Sequence, residues 1–181
     1  MGNAASYCEN GTLKNGIGVR IRSIRPDDKH RLFEAFRNLE TESVYTRFFH
    51  HKKTLTDEEL TAATEVDFES VVALVVTVGE GESETIIGSG RFMTYEDKGA
   101  LMAEVAFTVE EDYHGQGVAG LLLRHLVSIA RTAGVTQLEA EVLSTNKAML
   151  RVFSRSGLPM EMKNEGGVVR VGLMLKDHRN V

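Results

Sequence analysis

The stretch EVAFTVEEDYHGQGVAGLLLRHLVSIA, residues 104–130, decides how the chain reads. It runs from an apolar strand pattern through an acidic break into a glycine-dense turn, and then into a leucine-rich helical pattern. Gly115, Gly117 and Gly120 stand where the turn becomes the helix. Such a turn lets backbone N–H groups converge on an anion that also meets the positive end of the helix dipole. A phosphate-bearing ligand is therefore the first expectation. A turn that merely starts a helix is the plainer alternative, but each glycine loses more backbone entropy on folding than alanine would, which makes three of them costly there.

Upstream, residues 19–24 alternate apolar and polar, the period of a half-buried strand. Pro26, Asp27 and Asp28 then open a helix whose stripe is Leu32, Phe33, Ala35, Phe36 and Leu39. A shorter helical piece is expected around residues 42–48, and Thr56-x-x-Glu59 is a capping box for another helix. Residues 71–78, 85–95 and 101–109 read as three strands joined by short turns, which demands an antiparallel meander. Gly88 and Gly90 mark bulging or close approach within the second of these. After the helix at 118–133 come a strand at 136–143, a short helix capped by Asn146, and a last strand at 168–175 paired back across residues 164–167. The expected architecture is α/β (α+β), with a mixed, mostly antiparallel sheet of about seven strands flanked by helices. Residues 1–18 read as a flexible N-terminal tail, and residues 19–181 as one domain.

Gly115-Gln116-Gly117-Val118-Ala119-Gly120 is literally G-x-G-x-x-G, and Glu139 lies near the spacing of a ribose-binding acid. That fingerprint needs a strand running straight into the first glycine and parallel βαβ units around it. Here five polar residues intervene and the preceding strands form a meander, which argues against a dinucleotide. A nucleoside-triphosphate loop would need Lys-Ser or Lys-Thr after the glycines, and neither is present.

Strand, acidic break, His-Gly-Gln-Gly-Val-Ala-Gly and leucine-rich helix together resemble the acyl-CoA pyrophosphate loop of the GNAT acetyltransferases, Gln/Arg-x-x-Gly-x-Gly/Ala. The match sets His114 at the Gln/Arg place and Gly117 and Ala119 at the later two. Residues 24–28 resemble the usual family opening, and Asn146 before a helix ending in Ser156-Gly157-Leu158 resembles the family ending. Residues 42–49, 64–68 and 103–107 are similar to the acetyltransferase domain of Pat-type protein lysine acetyltransferases. The resemblance implies a GNAT fold, acetyl-CoA as cosubstrate and no metal. Amides from Gly115 to Gly120, including Gln116, Gly117, Val118 and Ala119, would take the pyrophosphate, with His114 donating from its ring. Backbone groups of Phe107, Thr108 and Val109 would hold the pantetheine arm. Asn146 and Arg155 would contact the cofactor, against plainer roles as a helix cap and a solvated surface arginine.

Acetyl transfer to an amine needs the amine neutral. A free lysine, with pKa near ~10.4, is neutral only about once in a few thousand at pH 7. A carboxylate whose pKa burial raises toward neutrality can take that proton. Glu104 is the candidate base: alternation sets it on one strand face with Met102, Ala106 and Thr108, and the small neighbours leave room for an acceptor. The Pat resemblance points to the same residue. Glu141 is the rival, on what reads as a solvated polar face. Many family members place an acid tyrosine seven residues after the asparagine, where this chain has Phe153. Solvent, Tyr113 or His114 would then have to protonate the thiolate.

Bulk composition excludes other classes. A net charge of −5 argues against sequence-independent nucleic-acid binding, which needs a basic face. No apolar run approaches the ~18 residues that span a bilayer, so no membrane role is expected. The single cysteine, Cys8, fits a reducing, cytoplasmic compartment. Met1-Gly2 through Ser6 matches a myristoylation pattern, which matters only where the modifying enzyme exists. His50-His51-Lys52-Lys53 lacks a third ligand at useful spacing and reads as a basic surface cluster rather than a metal site. The expected function is acetyl transfer from acetyl-CoA to a primary amine, with a protein lysine as the leading acceptor. A small-molecule amine, or acyl-CoA sensing without turnover, are the alternatives, and a monomer or a dimer is equally compatible.

Overall fold

The computed structural model describes residues 3–39 and 54–176. Eight strands form one sheet: β1 Cys8–Thr12, β2 Gly18–Ser23, β3 Val71–Val78, β4 Thr85–Asp97, β5 Ala100–Val109, β6 Gln137–Leu143, β7 Met160–Glu165 and β8 Val168–Met174. Their order is β1-β2-β3-β4-β5-β6-β8-β7. Every pairing is antiparallel except β5–β6. Among the described residues four helices flank the sheet: α1 Lys29–Arg37, α2 Asp57–Thr64, α3 Val118–Thr132 and α4 Lys147–Ser154. The meander and the capping box both form. Thr56 Oγ1 accepts from the Glu59 N–H at 3.2 Å, and Glu59 Oε2 accepts from the Thr56 N–H at 2.8 Å. The expected helical piece at 42–48, the resemblance over 42–49 and the His50–Lys53 cluster lie outside the described residues. No helix among the described residues is long and apolar enough to cross a membrane.

The sheet has one strand more than expected, and it comes from the stretch that reads as a flexible tail. Residues 4–6 make a 3-10 turn, and Cys8–Thr12 pairs along the whole edge of β2. No side-chain alternation announces β1, because it is an edge strand with mostly exposed side chains. Backbone hydrogen bonds, which any non-proline residue can make, hold it. Leu13 buries its side chain, and the Tyr7 hydroxyl reaches His125 Nδ1 of α3 at 2.5 Å.

Alternation along β3 builds a core on each face. Val72, Leu74 and Val76 pack on the α3 side, whereas Ala73 and Val75 pack with Ile24, Ile86, Leu32 and Ala35 on the α1 side. On α3, Leu122, Leu126 and Ala130 are fully buried. The helix sits close because Gly88 and Gly90 leave room: a Cβ on Gly88 would stand 2.5 Å from Val118 Cγ1, and one on Gly90 3.1 Å from Leu126 Cδ1. The register slips by one residue beside Gly88, between Val76 and Thr77.

Arg22 sits at a nominally polar position of β2, yet it is 1% exposed. Its guanidinium forks onto Asp28, Nη1 to Oδ2 and Nη2 to Oδ1, both at 2.8 Å, while Nε donates to Glu84 at 2.9 Å. Asp28, wholly buried, also accepts from the Arg25 N–H at 2.8 Å. The cluster ties β2 and the entry to α1 to the loop before β4. Burial alone would push the Asp28 carboxyl up, but the hydrogen bonds from Arg22 and Arg25 and the charges of Arg22 and Arg31 outweigh it and hold it below the ordinary 3.8. A depressed pKa contributes stability that is present above the unfolded value and lost as pH falls through the folded one. Asp28→Asn is expected to cost roughly 3 kcal/mol in urea denaturation at neutral pH, since it removes the forked carboxylate from a buried guanidinium and leaves only Glu84 to balance its charge. The deficit should shrink as the pH drops below about 4, the unfolded carboxyl's range.

Candidate active site

Strands β5 and β6 pair over only three rungs, Met102–Gln137, Ala103–Leu138 and Glu104–Glu139. Beyond them both strands continue, β5 to Val109 and β6 to Leu143, without facing each other. On its other side β6 stays fully paired to β8, and β5 to β4. The sheet therefore splits, leaving the facing edges of residues 105–109 and 140–143 without a strand partner. A cleft of about 1410 Å³ fills the split, floored by α3 and α4.

Glu104, Phe107, Thr108, Val109, His114, Gly115, Gly117, Val118, Ala119, Gly120, Asn146 and Arg155 all line this cleft. Gln116 does not. Its N–H donates to Tyr113 O at 3.3 Å and its carbonyl accepts from the Lys14 N–H at 3.1 Å, so its backbone holds the loop instead of facing a ligand. The His114 N–H is likewise used, donating to Glu111 O at 3.0 Å. The His114 ring differs from expectation too: Nε2 lies 2.9 Å from Val109 O. A carbonyl can only accept, so the proton sits on Nε2, and Nδ1 could donate to a phosphate only from a doubly protonated ring. The N–H groups of Gly115, Gly117, Val118, Ala119 and Gly120 donate to no protein acceptor among the described residues. Gly117 caps α3 at φ 91°, a left-handed conformation that turns these amides together.

Asn146 Oδ1 accepts from the Met149 N–H at 3.1 Å and so serves as the cap of α4. Arg155, exposed at the end of α4, borders the cleft. Phe153 is 1% exposed and packs on Phe107 with ring centroids 6.0 Å apart. It carries no proton to give. Five cations that sequence reasoning missed also line the cleft, among them Lys14, from the stretch that reads as a tail, and Arg124, on the exposed side of α3. Arg124 was legible as a polar break in an apolar helix three residues beyond the first turn; Lys14 had no signal.

Three glutamates stand near the point where the strands part. Both oxygens of Glu139 are occupied, accepting from Tyr95 Oη at 2.7 Å and Gln137 Nε2 at 3.1 Å. Burial, that hydrogen bond and the nearby acids push the Tyr95 phenol up to about 12, which keeps it protonated as the donor. Glu141 faces Arg170 at 3.4 Å. Glu104 accepts no hydrogen bond and makes no ion pair among the described residues, and it is exposed. The burial expected around it is not there, because β6 leaves β5 at this residue. Asp67, in the Pat-like segment 64–68, holds a turn together. Its carboxylate accepts from the N–H groups of Glu69, Ser70 and Val71, and with the Ser70 hydroxyl these bonds hold its pKa down at about 2. No group of three His, Cys, Asp or Glu that could hold a metal occurs among the described residues.

With this geometry, residues 19–159 match the model of the Acetyltransferase (GNAT) domain family. The chain belongs to the GNAT acetyltransferases. It is 34% identical over 145 residues to the acetyltransferase Pat of Mycolicibacterium smegmatis, covering 80% of this chain and 42% of that protein. The chain thus spans less than half the length of that relative. The GNAT domain of S. lividans PAT superimposes with a TM-score of 0.83 at 32% identity, over 92% of this chain and 96% of that one. The yncA protein of Salmonella typhimurium, solved with its cofactor acetyl-CoA, shares the fold with a TM-score of 0.68 at 20% identity, over 89% and 96% of the two chains. GNAT acetyltransferases take their acetyl group from acetyl-CoA, and the residues present fit it. Five unclaimed amides cluster at the start of a fifteen-residue helix. The cleft also carries more cations than acids, Lys14, Arg124, Arg131, Lys147, Arg151 and Arg155 against Glu104, Glu111 and Glu141, on a chain of net charge −5.

Gly117→Ala is expected to destabilise the protein by about 1–2 kcal/mol in denaturant titration, because an L residue resists the left-handed cap. The added Cβ, 3.7 Å from Lys14 Cε, makes only ordinary contact. A loss no larger than that of alanine placed elsewhere on the surface would show that the cap is not strained.

Proposed function

We propose that the chain transfers acetyl from acetyl-CoA to the side-chain amine of a protein lysine by direct attack, with Glu104 as general base. The observation that carries this reading is the position of Glu104 on the last shared rung of β5 and β6. A carboxylate there stands where the strands part and the cleft begins, open to an acceptor and free of competing partners. The thioester supplies the acetyl group. The free N–H groups of the glycine turn bind the pyrophosphate, and the unpaired edge of residues 105–109 offers backbone donors to the pantetheine arm and the reacting carbonyl. Glu104 takes the proton of the acceptor ammonium directly or through water. Its exposure favours the water route, and an exposed acid also leaves room for a protein loop that carries the lysine. With Phe153 where a tyrosine would serve, the open cleft lets solvent protonate the departing thiolate.

The protein-lysine acceptor rests on likeness to Pat, and a cytoplasmic setting rests on the single unpaired cysteine. We assign residues 19–181 to the catalytic domain, together with the N-terminal strand that completes its sheet. Phe153 also supports a second reading, an acyl-CoA sensor without turnover. Incubation with acetyl-CoA and a lysate, followed by mass spectrometry for new acetyl-lysine, separates the two; CoA binding without CoA release on any protein or amine panel would select the sensor. Glu104→Gln should lower kcat/KM by about 10²–10⁴-fold while the Kd for acetyl-CoA stays within about twofold, a shift too small to reflect a lost cofactor contact. Unchanged turnover in that variant would remove Glu104 from the mechanism.

A further inference from the structure

The resemblance puts the ring of His114 where a side chain would help hold the pyrophosphate, but that ring is hydrogen-bonded to Val109 O. The glycine turn still bundles five free amides, and something must supply fixed positive charge beside them if a doubly charged pyrophosphate is to sit there. Lys14 is the one cation built against this turn among the described residues. Its N–H donates to Gln116 O at 3.1 Å, and the Leu13 N–H and carbonyl close a tight turn with Ile17 and Gly16 that sets where Lys14 stands. Its stem lies over the cap: a Cβ on Gly117 would meet Lys14 Cε at 3.7 Å and Cγ at 3.9 Å. Buried Leu13, the β1–β2 ladder and the Tyr7–His125 contact anchor the segment on both sides of it. The ammonium makes no ion pair among the described residues, and Lys14 lines the cleft.

We infer that Lys14 is a cofactor-binding residue whose ammonium pairs with the pyrophosphate of CoA across Gly117, in place of His114, whose ring is bound to Val109 O. It lies before residue 19, where the match to the family begins. The N-terminal strand is therefore part of the binding site and not only of the sheet. This inference rests on the acetyl-CoA reading of the cleft.

The test compares the full chain with Lys14→Met, which keeps the apolar stem and removes the charge, and with Lys14→Arg. Titration calorimetry would measure CoA, dephospho-CoA and acetyl-pantetheine, with thermal unfolding to check that each variant is folded. Lys14→Met is expected to weaken CoA and dephospho-CoA alike by about tenfold or more, the worth of a charge-assisted hydrogen bond. It should leave acetyl-pantetheine unchanged and flatten the salt dependence of CoA binding; Lys14→Arg should recover most of the loss. Equal CoA binding in Lys14→Met, or an equal loss for acetyl-pantetheine, would overturn the inference. A loss confined to CoA and absent with dephospho-CoA would move the contact to the 3′-phosphate and overturn the pyrophosphate assignment. If the unmodified chain bound none of the three, the acetyl-CoA reading itself would fail, a result distinct from any failure of Lys14.

Discussion

The parting of β5 and β6 after Glu104 and Glu139 is the constraint from which the rest of the site follows. Two parallel strands that stay in register leave no room between them, and two that never meet leave no fixed geometry. Here three rungs hold the strands together, and full pairing of β5 to β4 and of β6 to β8 keeps each rigid after they separate. The open edges are then held straight by neighbours on the far side. They expose backbone donors and acceptors that would otherwise be costly to leave unpaired, in a cleft where a ligand can take them. Helix α3 is the crossover that makes the parallel pairing possible, so the same connection that splits the sheet also brings its glycine turn to the mouth of the split.

Close approach makes that placement firm. Gly88 and Gly90 remove the side chains that would hold α3 away from β4, and the buried leucines of the helix fill the space. Phe107 and Phe153 fasten β5 to α4 on the cleft floor, where a tyrosine at position 153 would have brought a hydroxyl. On the opposite face, Arg22 binds Asp28 and Glu84 directly, out of reach of solvent. The arrangement is rigid because both oxygens of Asp28 are taken by one planar fork. A polar strand position thus became a buried one, which alternation alone misassigns.

Much of this was readable in the linear order of residues. The meander followed from short turns, the helix from its leucine stripe and glycine stop, and the capping box from Thr56 and Glu59. These are local features, governed by propensity and by period. The lining of the cleft was readable where it depends on a continuous segment: the glycine turn and the face of Glu104 both lie within residues 104–120. It was less readable where a side chain chooses among distant partners. His114 turned to Val109, Gln116 took up the loop, and Asn146 stayed a cap, all because nearby backbone groups offered geometry that a ligand-centred reading leaves out.

The sequence by itself determined the order of elements, the mixed sheet, a glycine turn suited to an anion and a carboxylate on the strand before it, because each is carried by residues adjacent in the chain. Only the tertiary structure decided that residues 8–12 are an eighth strand, that Lys14 lies over Gly117, and that Glu104 is exposed while Glu139 is tied to Tyr95 and Gln137. An edge strand is held by backbone hydrogen bonds to a partner, so no pattern of its own side chains is required. The surroundings of a carboxylate depend on which strands continue beside it, and that is known only once the sheet has been assembled.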